Sequence, residues 1–288
     1  MMTRRSALKG LLAAAGAVST TDLLAQSARP FAEAPKGYRL VWRDEFNAEG
    51  RPDPNNWTYE HGFVRNEEFQ WYQPENASCS GGNLIIESRR EKKLNPHYVE
   101  GSKNWHTNRR FAQYTSSSLT TRGLHSWKYG YFVMRGRIDI RPGIWPAWWT
   151  LGVSKRWPAC GEIDIMEYYA GHINANVAWE KADGSSDWIT TFKPIKDFHD
   201  PRWSQKFHVW AMHWTPEFIH LYLDGTLLTT ADLSRTLDAR HNGFNPFHQP
   251  VYMILNQAIG GQSGGNPEHT QFPSRFEVDY VRVYQRPT

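Results

Sequence analysis

What most restricts the fold of this 288-residue chain is its rhythm: short segments rich in β-branched and aromatic residues, broken by Gly, Pro, Asn or Asp. Segments 84–87, 116–121, 129–139, 147–152, 174–179, 208–215, 218–223, 252–258 and 276–284 all read as strands. Several alternate, as in Tyr129 to Arg137, so successive side chains go to opposite faces. Asp224-Gly225, between Leu223 and Leu227, predicts a hairpin with a type I′ turn, which needs positive φ at both positions. Long amphipathic helices are absent from the pattern. So many strands without helices must bury one another sheet on sheet, as a sandwich or jelly roll, or close into a barrel. The polar stretch 89–113 is predicted as a long loop or lid, and loops of that length are often functional.

A chain that is 40% hydrophobic is too apolar for disorder, while 22% charged residues and a negative mean hydropathy exclude a membrane-embedded one. Its 14 tryptophans imply a touched surface as well as a core, because so large a ring is rarely buried completely. The start reads as a twin-arginine-type export signal over residues 1–25: Arg4-Arg5, an apolar stretch from Leu11 to Val18, and small residues near Leu24-Ala25. An uncleaved anchor or a cytosolic terminus is the alternative. A spacer over 26–36 and one catalytic domain over 37–286 follow, and the expected location is periplasmic or secreted.

Loss of Arg4, Arg5 and Lys9 together with Asp22 takes the formal charge from +4 to +2. No run of five Lys/Arg occurs, so neither nucleic acid nor an anionic membrane is expected as partner. A neutral or weakly charged polymer fits, bound by a monomer with no membrane span. Cys79 and Cys160 are too few for a disulfide scaffold or a structural zinc site, which leaves a single bridge or two buried thiols.

The segment Gly161-Glu162-Ile163-Asp164-Ile165-Met166-Glu167-Tyr168-Tyr169 sets three acids among Ile, Met and Tyr, unlike a solvated acidic face. On a strand, Glu162 and Asp164 share one face and Ile163 and Ile165 the other, while Glu167 falls out of phase. A β-bulge at Ile165-Met166 would return Glu167 to the acidic face. Glu162 and Glu167 would then sit four strand steps apart, roughly 13 Å at Cα, from which inclined side chains can close to the ~5–5.5 Å of a retaining glycosidase. Asp164 between them can share a proton, because close like charges do not all ionise cheaply. A partly buried strand whose acids bind Arg or calcium is the other reading. Nearby aromatics favour chemistry on sugars: rings stack on the C–H faces of a pyranose, and the hydroxyl rim needs polar neighbours such as Asn66, Glu68 and Gln70. Trp148 and Trp149 cannot both face a cleft, and Trp149 is the expected one. No Gly-rich phosphate loop or metal-type Cys/His spacing appears, so no catalytic cofactor is expected.

The stretch Trp157 to Tyr168 resembles glycoside hydrolase family 16, in particular its laminarinase-like bacterial members. Further matches follow in order: Asp44-Glu45-Phe46, Gly82 to Glu87, Trp127 to Gly130, Trp145-Pro146-Ala147-Trp148-Trp149, Phe207 to Trp210 and Val278 to Tyr284. The resemblance implies a β-sandwich, a jelly roll of two antiparallel sheets with a concave substrate cleft. It implies retaining endo-hydrolysis of a β-1,3- or mixed-linkage glucan, with Glu162 as nucleophile, Glu167 as acid/base and Asp164 as helper. Asn66, Glu68, Trp145, Trp149 and Asn256 are the expected sugar-binding residues. A structural calcium is also implied, held by oxygens of the segments at Glu45, Gly82 and Asp279. Two departures bear on substrate: Gln262-Ser263 follows Gly260-Gly261 where laminarinase-like members usually carry a Trp, and Asn174 to Trp179 lacks their His. A galactan, cut by an agarase-like hydrolase, therefore stays open, as does a lectin without turnover.

Overall fold

The computed structural model describes residues 34–237, 240 and 242–287; the expected export signal and the spacer up to residue 33 lie outside them. Nineteen strands follow in chain order among the described residues: β1 Arg39–Asp44, β2 Thr58–Tyr59, β3 Gln70–Tyr72, β4 Ala77–Ser80, β5 Asn83–Ser88, β6 Lys93–Leu94, β7 Phe111–Ala112, β8 Tyr114–Ser116, β9 Ser118–Thr120 and β10 Gly130–Arg137. The remainder are β11 Ile144–Gly152, β12 Glu162–Tyr169, β13 His172–Glu180, β14 Ser186–Pro194, β15 His208–Trp214, β16 Phe218–Leu223, β17 Thr226–Asp232, β18 Val251–Ile259 and β19 Ser274–Gln285.

Two antiparallel sheets pack face to face, as a jelly-roll sandwich. One has the order β17-β16-β15-β10-β19-β5-β4, with β1 also beside β19, and the other β14-β13-β12-β11-β18-β9-β2. The core lies between them. Phe132, Met134, Trp210, Met212 and Val281 of the first sheet meet Trp148, Ile163, Ile165, Met166, Val177 and Leu255 of the second. Burying each such side chain contributes about 1.5–3 kcal/mol. The opposite face of the second sheet is free of that role and carries the site.

All nine predicted strands are present, and β16 and β17 are joined by Asp224 and Gly225 at φ 47 and 77, as a type I′ turn requires. The stretch 89–113 is mostly loop and turn, as predicted, with the short β6–β7 pair inside it, and the Asn95 amide donates to the carbonyls of His106 and Arg109 at 2.9 and 3.0 Å. Both cysteines are buried free thiols, so the bridge is not formed.

The calcium expectation meets an obstacle. β19 is flanked by β1, with Asp44 opposite Val281, and by β5, with Leu84 opposite Val278, which brings the Glu45, Gly82 and Asp279 segments together. Yet the two carboxylates are already neutralised: Arg282 donates to both Glu45 oxygens at 2.7 Å, and Arg135 donates to Asp279 Oδ2 at 2.5 Å. As placed, these side chains do not form a hard-cation carboxylate site, and among the described residues no group of three or more His, Cys, Asp or Glu could hold a metal.

Candidate active site

Gly161 enters β12 at φ 76, a left-handed conformation that favours glycine, and Glu162 follows as the first strand residue. From there alternation sends Glu162 and Asp164 to the concave face and Ile163 and Ile165 into the core. The bulge is where the sequence placed it. Against β13, Asp164 pairs with Asn176 and Glu167 with Asn174, so Ile165 and Met166 together oppose the single residue Ala175. Both bulged side chains are fully buried in the core, and Glu167 emerges beside the other two acids. Glu162 pairs with Ala178, so the two glutamates stand opposite residues four apart on β13.

The neighbouring strands obey the same alternation. β11 contributes Trp145, Ala147, Trp149 and Leu151, β13 contributes Asn176, β14 contributes Trp188, Thr190 and Phe192, and β18 contributes Asn256. With Asn66, Glu68, Gln262 and Ser263 these line a cleft of about 670 Å³. All five expected sugar-binding residues are on its wall, and Trp148 is in the core, its indole against Met253 Sδ at 3.4 Å.

Each carboxylate is held. Trp145 Nε1 donates to Glu167 Oε1 at 2.7 Å, and the Asn176 amide donates to both Glu167 Oε2 and Asp164 Oδ2, at 3.1 and 3.0 Å. Glu162 is hydrogen-bonded by Trp157 and to Asp164. Burial raises all three acids. Glu162 lies well above the usual carboxylate range, first from burial and then from the charges of Asp164 and Glu167. Glu167 is likewise well raised by burial and by Asp164, against the donors Trp145 and Asn176. Asp164 is pushed up to about 6 by burial, opposed by its hydrogen bonds to Asn176 and Glu162. All three shifts favour the protonated forms, the direction that acid catalysis requires.

At the far wall, Trp149 Nε1 donates to Asn256 Oδ1 at 2.7 Å, and the Asn256 amide donates to the Tyr72 hydroxyl at 3.0 Å. Glu68 is almost fully buried; burial raises it while Arg65 opposes that shift. Gln70 departs from the expected sugar contact, for it braces the wall instead, donating to Glu68 at 2.6 Å and accepting from the Ile259 amide at 2.7 Å. Arg65 lies 5.0 Å over the Trp149 ring and pairs with Glu60, so the one arginine on the cleft wall among the described residues is already neutralised. Arg109 donates to the Glu68 carbonyl at 2.8 Å, behind the cleft wall. Sequence reading missed Asn176 as the clamp on two acids, and the β14 aromatics. A period-two pattern for 186–194 could have found the latter.

A sequence model of glycosyl hydrolases family 16 matches residues 86–282. A β-glucanase of Rhodothermus marinus is 38% identical over 264 residues, covering 86% of this chain and 85% of the relative. The catalytic domain of an endo-1,3-β-glucanase (laminarinase) from Thermotoga petrophila superposes with a TM-score of 0.72 at 32% identity, over 87% of this chain and 99% of that one. A structure from work on endo-acting O-glycanases, which members of the human gut microbiota express to initiate mucin breakdown, reaches 0.80 at 33% identity, over 88% and 92%.

Proposed function

Since the chain belongs to glycosyl hydrolases family 16, we propose that its cleft cuts β-1,3- or mixed-linkage β-1,3/1,4-glucan internally, by a double displacement carried by Glu162, Asp164 and Glu167. The observation that carries this reading is the bulge, which sets the two glutamates on one face four steps apart with Asp164 between them; which glutamate attacks and which gives the proton follows the family resemblance.

In the first step a Glu162 oxygen bonds to the anomeric carbon as the bond to the leaving sugar breaks, and Glu167 gives its proton to the departing oxygen. The pKa of Glu167 then changes with its surroundings. While Glu162 and Asp164 share a negative charge, like-charge repulsion and burial keep Glu167 protonated. Once Glu162 is esterified that charge is gone, and the donors Trp145 and Asn176 favour the Glu167 carboxylate. Glu167 then takes a proton from water, the water oxygen bonds to the anomeric carbon, and Glu162 departs with the configuration retained. Asp164, hydrogen-bonded to Glu162, accepts the proton that Glu162 must shed before attack. The Asn176 amide, buried beside the acids, holds both Asp164 and Glu167 by its two donations.

Neutral sugars suit a wall whose Arg65 is paired with Glu60. The paired arginines Arg4-Arg5 support export before action. A calcium at the β1–β5–β19 junction would have to rely on main-chain oxygens, since its expected carboxylates are occupied. No step depends on it.

Removing each glutamate tests the roles. Glu162→Ala should lose at least about a thousandfold in kcat and, with azide added, form a glycosyl azide of inverted configuration; Glu167→Ala with azide should give retained configuration. The reverse pattern would exchange the two roles. Laminarin and barley β-glucan are the substrates to assay by reducing ends, with agarose and mucin glycans as counter-substrates. Cleavage of only the counter-substrates would overturn the glucan assignment.

A further inference from the structure

Three aromatic rings stand exposed at one end of the cleft, where an ordinary fold would bury them: Trp157 at 50%, Trp188 at 41% and Phe192 at 57%. Two belong to β14, which ends its sheet and is paired only with β13 among the described strands. Alternation along β14 is complete. Ile189 packs against the core and Thr191 donates to the Leu228 carbonyl at 2.9 Å, while Trp188, Thr190 and Phe192 point onto the cleft face. An unpaired sheet edge with bare rings invites aggregation unless something covers it.

The register says what covers it. Trp188 pairs with Ala178, which pairs with Glu162; Phe192 pairs with Asn174, which pairs with Glu167; Thr190 pairs with Asn176, which pairs with Asp164. The cross-strand rows that carry the three acids therefore end on Trp188, Thr190 and Phe192, two strand spacings or roughly 10 Å away. The rings are also held: Trp188 Nε1 donates to Ser186 Oγ at 2.8 Å, its ring lies 6.5 Å from that of Trp157, and Phe192 meets His172 edge-on at 6.3 Å.

We infer that Trp188 and Phe192 form an outer sugar subsite, stacking on the same glycan chain that lies across the carboxylates and making cleavage depend on chain length. Trp188 stands at the Glu162 side of the groove and Phe192 at the Glu167 side, with Thr190 as floor. A short substrate that ends at the reacting centre never reaches them. This inference rests on the proposed glycan cleavage, but it concerns how far the bound chain extends and not which sugar it contains.

The test compares wild type with Trp188→Ala, Phe192→Ala and Trp188→Phe on a ladder of oligosaccharides from the polymer the wild type cuts, glucan or galactan, and on a short aryl glycoside. Both rings are exposed, so thermal melts should be unchanged in every variant. KM on the longest oligosaccharides should rise about tenfold in the alanine variants, with kcat on the aryl glycoside within about twofold of wild type and Trp188→Phe largely restored. Equal KM across the ladder for wild type and alanine variants would overturn the subsite. So would an equal loss on long and short substrates, which would mark the rings as part of the reacting centre. Failure of the glucan assignment changes only the polymer from which the ladder is made. As a readout independent of turnover, the Kd of that polymer for Glu162→Gln protein should weaken about tenfold when Trp188→Ala is added.

Discussion

Asp164 is the residue whose environment is most consequential, because it is buried between two other acids and its carboxyl is pushed up to about 6. Its folded pKa stands above its unfolded value near 4, so the native state binds this proton more tightly than the unfolded chain does. The penalty for burying the charge is absent below about pH 4, grows as pH rises toward 6, and is fully present above that. Asp164→Asn stays neutral throughout and escapes it. The variant should therefore match wild type in stability near pH 4 and exceed it by on the order of 2–3 kcal/mol at pH 7, while kcat falls because Glu162 loses the group that takes its proton. Melting temperatures from pH 4 to 8 for both proteins decide this, and parallel curves would show that Asp164 does not titrate in that window. Asn176 belongs to the same scale and was invisible in the sequence. An Asn inside an apolar strand carries no sign that its amide will bridge two acids across a ladder.

The bulge was legible because period-two alternation breaks visibly between Asp164 and Glu167, and three acids cannot share a strand face without an extra residue there. β14 was not legible, since most of Ser186 to Pro194 is polar or exposed and reads as a loop until an edge strand is allowed to show rings to a ligand. β4, Ala-Ser-Cys-Ser, lacks the β-branched and aromatic residues that mark a strand and is held by pairing with β5. The entry to β12 offers a test of how finely the element aims its first acid. A Cβ on Gly161 would meet Pro246 Cβ at 2.8 Å and Phe247 Cε1 at 3.0 Å, in a backbone at φ 76. Gly161→Ala should cost about 1–3 kcal/mol and also lower kcat, as relief of the clash moves Glu162. Denaturant melts and kinetics at a temperature where both proteins are folded separate the two effects; a destabilised variant with wild-type kcat would show that β12 corrects its own start.

At the scale of the whole molecule, the first and last of the described strands close on each other, and the arginines at that seam bear on the calcium implied by the family resemblance. β1 lies along β19, with Arg282 bidentate on Glu45 and Arg135 on Asp279. These pairs are partly exposed, so each contributes modestly to stability, about 1 kcal/mol or less for such sites. Their larger effect is to neutralise the oxygens a cation would use. Chelator-treated wild type should keep its fold and melt within about 3 °C of the untreated protein, a shift worth about 1 kcal/mol in a chain of this size. Arg135→Ala frees the Asp279 carboxylate beside the Glu45 and Gly82 main chain, and its melting temperature should rise with added calcium more than that of wild type. Differential scanning calorimetry with and without calcium measures both. A loss of ten degrees or more on chelating the wild type would mean that a cation, and not the arginines, satisfies this seam.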